Sequence, residues 1–216
     1  MASRPKHPEP RPAPRLYLIT PPLADAAAFA GELTAALEAA DVAAVLLRLA
    51  DADERTLINH IKALAPAVQE RGAALLVDGH ADLVARAGAD GAHLDGIEPF
   101  IAALEQLKPE RIVGAGGLQT RHDAMVAADG GADYIMYGAP DGRERDLAAV
   151  RERVAWAAEL FELPCVAYAA NIDEIASLIA AGADFIALDC IWSDTRGTAA
   201  VLAEASRRLR LPETTA

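Results

Sequence analysis

Of the Asp, Glu and His residues in the stretch AALLVDGHADLVARAGADGAHLDGIE (73–98), five, Asp78, His80, His93, Asp95 and Glu98, have side chains placed for metal binding or acid–base chemistry. They stand where two apolar runs stop, on either side of a short helical stretch. Carboxylates from adjacent strand ends make a Mg2+ site, because Mg2+ takes one or two protein carboxylates, keeps several waters and completes its shell with substrate phosphate. Asp78 with Glu98 or Asp95 fits that pattern. Solvated loop acids are the plainer alternative in a chain rich in them. A transition-metal set of His80, His93 and a carboxylate is another option, with no H-x-x-x-H or C-x-x-C spacing behind it. His93 also fits a core histidine with a hydrogen-bond partner.

Arg48 follows an apolar run in LLRLAD, where an unpaired buried cation is costly. It either pairs with a rim carboxylate or binds an anionic ligand. VGAGGLQT (113–120) leads through glycines to Thr120 and a helix, and such a turn can hold phosphate on backbone N–H groups; Gly116 and Thr120 are the candidate positions. YGAPDGRERD (137–146) is a polar Gly/Pro loop suited to covering a site, with Arg143 and Arg145 as possible phosphate cations. In AYAANIDE, Asn171 and Glu174 have capping-box spacing and a structural role.

The elements that must position these residues alternate. Strands are expected at 16–20, 42–49, 73–77, 91–94, 111–116, 133–138, 164–168 and 184–190, apolar almost throughout, as strands covered on both faces are. Between them lie amphipathic segments such as DAAAFAGELTAALEAA, DERTLINHIKALAPAVQERG and RERDLAAVRERVAWAAELF, with apolar residues at helical spacing. AGADGAHL (87–94), GGADYIMY (130–137) and AGADFIAL (181–188) share one grammar: a helix ends, glycine caps it, a strand begins. Eight such units predict a compact (β/α)8 TIM barrel, with a doubly wound open sheet as the rival. In a barrel the carboxyl ends of the strands carry the active site, so Asp78, Asp95 and Glu98 are expected at one rim.

The formal net charge of −12 argues against nucleic acid or an anionic membrane as partner. No apolar stretch reaches the length of a membrane helix, and no secretory signal is recognisable. Cys165 and Cys190 read as buried reduced thiols of a cytoplasmic protein. Prolines at 5, 8, 10, 12 and 14 make residues 1–15 an extended, disordered arm. The barrel is expected over 16–208, with a tail at 209–216; oligomeric state stays open.

In order along the chain, LYLIT, LLR, LLVD, GADGAHL, IVGAG, GADYIMYG, LPCVAY and AAGADFIAL resemble the thiamine phosphate synthase and thiazole tautomerase superfamily. The resemblance covers about residues 16 to 192. It implies a compact barrel that joins a pyrimidine methyl diphosphate to a thiazole phosphate with Mg2+, releasing pyrophosphate. Small phosphorylated heterocycles are then the partners. Pyrophosphate departs, a pyrimidine carbocation forms, and the thiazole nitrogen captures it. Carried over by position, Asp78 and Glu98 hold the metal, Arg48 grips the diphosphate, and Arg143 stands where the family places a catalytic lysine loop. Ala169 and Ala170 replace the glycine pair that cups the thiazole phosphate. Gly114-Ala115-Gly116 lacks the family's serine, and Leu188-Asp189-Cys190 puts an acid where the family has Val-Ser. These departures keep two alternatives open. One is a barrel that binds a ligand or regulates without turnover. The other is a thiazole tautomerase-like enzyme, for which His122 is the only candidate base.

Overall fold

The structure is a computed structural model and describes residues 12–141 and 146–210. Residues 1–11 of the expected arm, Arg143 and Arg145 lie outside the described residues. Among the described residues eight strands form: β1 (Arg15–Ile19), β2 (Val42–Leu47), β3 (Ala74–Asp78), β4 (Gly91–Asp95), β5 (Ile112–Gly116), β6 (Tyr134–Tyr137), β7 (Cys165–Ala169) and β8 (Phe185–Leu188). They close in chain order into one parallel barrel, with β8 returning to pair with β1. The open-sheet rival is excluded by that closure.

Among the described residues eight α-helices follow the strands in turn: α1 (Ala26–Ala39), α2 (Glu54–Gln69), α3 (Val84–Ala87), α4 (Ile97–Leu107), α5 (Arg121–Asp129), α6 (Leu147–Leu160), α7 (Ile175–Ala180) and α8 (Thr198–Arg210). Their starts obey local chemistry. The Asp25, Asp53 and Asp146 carboxylates accept N–H groups of the first turns of α1, α2 and α6. In α2 the buried residues Leu57, Ile61, Leu64, Ala65 and Val68 recur at helical spacing and face the sheet. Gly88 ends α3 at φ 78°, a left-handed cap that glycine adopts without a Cβ penalty.

Two apolar shells result. The larger lies between sheet and helices, with Leu33, Ile61, Val84, Phe100 and Leu178 among its members. The smaller fills the barrel, where Tyr17, Ile19, Leu46, Leu76, Tyr134, Met136, Val166 and Tyr168 point inward from alternating strand positions. That alternation decides which residues emerge at the mouth. Among the described residues no helix is long and apolar enough to cross a membrane.

Candidate active site

At the carboxyl ends of the strands a cleft is lined by Arg48, Asp78, His93, Asp95, Gly116, Gly117 and the segment Gly138–Asp141, above Ile19, Leu46 and Met136. Each polar group arrives by continuing the inward alternation of its strand. Arg48 follows β2, and its backbone is fixed from both sides: its N–H donates to the buried Thr20 Oγ1 (3.0 Å), and its carbonyl accepts from Leu23 N (3.0 Å). Its guanidinium Nε lies 3.7 Å from Asp78 Oδ2, both groups half-buried. Arg48 therefore pairs with a rim carboxylate, and it also lines the cleft where an anionic ligand would meet it.

Asp78 ends β3 in register with His93 of β4, and Asp95 stands opposite Gly116 of β5. Backbone bonds from Gly79 N to His93 O (2.9 Å) and from Gly96 N to Gly116 O (2.8 Å) lock these strand ends in place. The Asp95 carboxylate lies directly beneath Gly117: a Cβ there would stand 1.9 Å from Asp95 Oδ1. Gly116 similarly leaves room for His93, whose Nε2 would lie 2.5 Å from a Cβ.

His93 is 5% exposed and stacks on Tyr134 at 5.7 Å between ring centres. Its Nδ1 is 3.0 Å from the Tyr134 hydroxyl, which is 2.9 Å from the Tyr17 hydroxyl. Burial lowers the His93 pKa to about 4, against a smaller opposing pull from Asp95, so the ring is neutral at neutral pH. Burial also raises both tyrosines above their ordinary range. His93 thus combines the expected core role with a place in the cleft. The two tyrosines, unremarked in the sequence, separate the cleft from an apolar cavity of about 200 Å3 at the barrel's foot, lined by Ala44, Ala74, Leu76, Ile112, Val166 and Phe185.

Other candidates are placed elsewhere. Glu98 is exposed on the first turn of α4, outside the cleft lining. Thr120 is an exposed N-cap, in a reciprocal box with Asp123. Its hydroxyl accepts Asp123 N (3.1 Å), which accounts for it structurally. His122 is exposed on α5, away from the cleft, and His80 caps a short turn after β3. Ala169 is buried at the end of β7. The N–H of Ala170 donates to Glu174 Oε2 (2.8 Å), and Asn171 Nδ2 donates to Glu174 Oε1 (2.9 Å), so Asn171 and Glu174 play the structural part read from the sequence. Asp189 Oδ1 accepts the hydroxyl of Tyr168, an inward-facing residue of β7 (2.8 Å). Cys165 is buried as expected, but Cys190 is only partly so; burial and the adjacent Asp189 push its thiol up to about 11.

The donor set decides which metal the cleft suits. Among the described residues no group of three or more His, Cys, Asp and Glu side chains is gathered to hold an ion, so His80 and His93 do not assemble a transition-metal site with a carboxylate. Asp78 and Asp95 instead offer carboxylate oxygens from two adjacent strands. That fits Mg2+, which needs only one or two such ligands when a phosphate ligand completes its shell.

Comparison with known proteins agrees with this geometry. Residues 16–189 match the profile of a family described as thiamine monophosphate synthase. The chain is 42% identical over 203 residues to the thiamine-phosphate synthase of Rhodospirillum centenum, covering 91% of this chain and 98% of that one. It is 37% identical over 206 residues to the thiamine-phosphate synthase of Hyphomonas neptunium, covering 90% and 93%. Among solved structures, the thiamine phosphate pyrophosphorylase from Pyrococcus furiosus superposes with a TM-score of 0.75 at 26% identity, covering 90% of this chain and 95% of that one.

Proposed function

Since the chain belongs to the thiamine monophosphate synthase family, we propose that it is a Mg2+-dependent transferase that moves a pyrimidine methyl group from diphosphate to the nitrogen of a thiazole, releasing pyrophosphate. The observation that carries this reading is the cleft itself, where Arg48, Asp78 and Asp95 converge from three adjacent strands at the catalytic end of the barrel.

The reaction breaks the bond between the methylene carbon and the diphosphate oxygen, the electron pair leaving with pyrophosphate. The barrier is the charge that builds on that oxygen. Arg48, its backbone tied at both sides, supplies a fixed cation for it. Asp78 and Asp95 would hold the Mg2+, which would supply Lewis-acid neutralisation of the same anion. Ile19, Leu46 and Met136 give the carbocation an apolar floor that excludes water from its carbon. The thiazole lone pair then forms the new carbon–nitrogen bond. Asp95 takes the metal role that the resemblance assigns to Glu98. Small heterocyclic substrates of this kind belong to a cytoplasmic enzyme. Arg143 is kept as the proposed cation of the covering loop, whose described part, Gly138–Asp141, lines the cleft.

A second reading, ligand binding without turnover, is favoured by one observation. Phosphate sites in barrels frequently use the loops after strands 7 and 8, and here Glu174 occupies the Ala170 N–H while Asp189 stands at the end of β8. Titrating the protein with the pyrimidine methyl diphosphate, with and without Mg2+, and then adding the thiazole separates the readings. We expect Mg2+-dependent binding, turnover on addition of the thiazole, and loss of both by tenfold or more in Asp78→Ala. Binding without turnover would establish the second reading. Undiminished turnover in Asp78→Ala would remove the metal assignment.

A further inference from the structure

Three buried polar groups form a line across the barrel: the Tyr17 hydroxyl, the Tyr134 hydroxyl and His93 Nδ1, spaced 2.9 and 3.0 Å apart. At the upper end of this line His93 borders the cleft beside Gly116. At the lower end Tyr17 borders the apolar cavity at the foot. From the directions these hydrogen bonds must take, we infer that Tyr17 and Tyr134 hold His93 in the tautomer whose Nε2–H points into the cleft. His93 is then a hydrogen-bond donor to an anionic oxygen of the bound substrate, and the two tyrosines are its positioning residues.

The direction follows from placing every proton. A phenol has one proton to donate, and a neutral imidazole has one N–H and one lone pair. If Tyr17 donates to Tyr134, and Tyr134 donates to His93 Nδ1, every proton in the line is bonded and the imidazole proton must sit on Nε2. In the reverse order His93 Nδ1–H donates to Tyr134 and Tyr134 to Tyr17. The Tyr17 proton is then left without an acceptor on a buried side chain that borders the apolar cavity. A third arrangement, in which Tyr134 accepts from both sides, strands its own proton in the interior. Leaving a buried donor without a partner is the costlier choice in each case.

The cleft end favours the same order. Asp78 and Asp95 line the cleft with His93, and their negative field stabilises an N–H facing them over a lone pair. Once Nδ1 accepts from Tyr134, Nε2 is the only donor of a neutral ring. Arg48 and His93 would then offer the anion two donors of different kinds, a guanidinium from β2 and a neutral imidazole from β4. That the acceptor is a diphosphate oxygen rests on the proposed function; the tautomer does not.

The test labels the histidines of the full chain with 15N and reads long-range proton–nitrogen correlations at neutral pH, with His93→Gln assigning the signal among the five histidines. The wild type should show an Nε2–H ring with Nδ1 as acceptor. Tyr134→Phe should shift the population towards Nδ1–H, with a smaller shift in Tyr17→Phe. Tyr134→Phe should also weaken the affinity for pyrophosphate with Mg2+ by about tenfold to a hundredfold, as expected for one lost charge-assisted hydrogen bond. An Nδ1–H ring in the wild type, or an Nε2–H ring unchanged in both phenylalanine variants, would overturn the inference. If the wild type shows the Nε2–H ring yet does not bind pyrophosphate with Mg2+, the donor has no anion to meet. That result overturns the donor role and the diphosphate reading together, and leaves only the tautomer standing.

Discussion

Gly117 shows how closely the site is set by single residues. Its φ of 58° and the 1.9 Å that would separate a Cβ from Asp95 Oδ1 leave glycine as the residue that fits while Asp95 keeps its place. His93 makes a comparable demand in terms of pH. Its folded pKa of about 4 lies below the ordinary histidine value of 6.5. Between those values the unfolded chain binds the proton and the folded chain does not, so stability rises with pH across the window. The contribution is complete above about pH 6.5 and is lost as pH falls through about 4, amounting to about 3 kcal/mol. Denaturant midpoints measured from pH 7 to pH 4 should therefore fall more steeply in the wild type than in His93→Gln. Equal slopes would mean that the ring titrates normally. Arg48, Asp78 and Asp95 were legible as residues of the barrel mouth because each directly follows or ends an apolar run. Glu98 and Thr120 lie outside the cleft lining for a physical reason. Gly96, at φ 97°, swings the chain out of the barrel before Glu98 is reached, and three residues of loop carry Thr120 out to its cap. Counting residues from a strand end does not measure such turns.

At the scale of elements, the repeated Gly-Ala-Asp segments have a function that spacing alone left unexplained. Asp90, Asp133 and Asp184 each precede an even-numbered strand. Their carboxylates accept the backbone N–H of Leu75, Val113 and Cys165, at 2.7, 2.6 and 2.8 Å, at or just after the start of the preceding strand. Each repeat is thus a clamp joining β3 to β4, β5 to β6 or β7 to β8 at the foot of the barrel. Before β2, Asp41 acts differently: its carboxylate accepts from the Arg15 guanidinium of β1 at 2.7 Å. Removing one clamp leaves a partly buried N–H without its charged acceptor, at a cost of about 1.5–3 kcal/mol. In a chain of this size that corresponds to a melting temperature lower by roughly 3–12 °C. Asp184→Ala should show this in a thermal melt while leaving ligand affinity unchanged, since the clamp lies at the end of the strands remote from the cleft. The strands themselves were legible to within two residues at either end, because each is an apolar run bounded by glycine or a charge. The start of α6 was placed too early. Asp146 is its N-cap, and in sequence the run of charges around it does not mark that boundary.

The whole molecule pairs a polar mouth with an apolar foot. A net charge of −12 surrounds a cleft whose described lining contains a single cation, Arg48. A polyanionic substrate is admitted on this reading because a divalent ion accompanies it. The barrel was legible from eight alternating units, but the division of its interior was not. A period of two shows which residues face inward; it does not show whether their side chains meet across the axis. Tyr17 and Tyr134 do meet, whereas the alanines and aliphatic residues below them leave about 200 Å3 between them. That hollow opens at the foot of the barrel, so in the folded state it presents apolar walls to water. Covering part of those walls should accordingly stabilise the fold, by roughly 25 cal/mol for each Å2 of apolar surface removed from water. A thermal melt should find Ala44→Leu, which fills part of the hollow, more stable than the wild type; an equal or lower melting temperature would mean that the hollow has no room for the added side chain. The molecule would then gain stability from beneath the tyrosine floor, on the side opposite its chemistry.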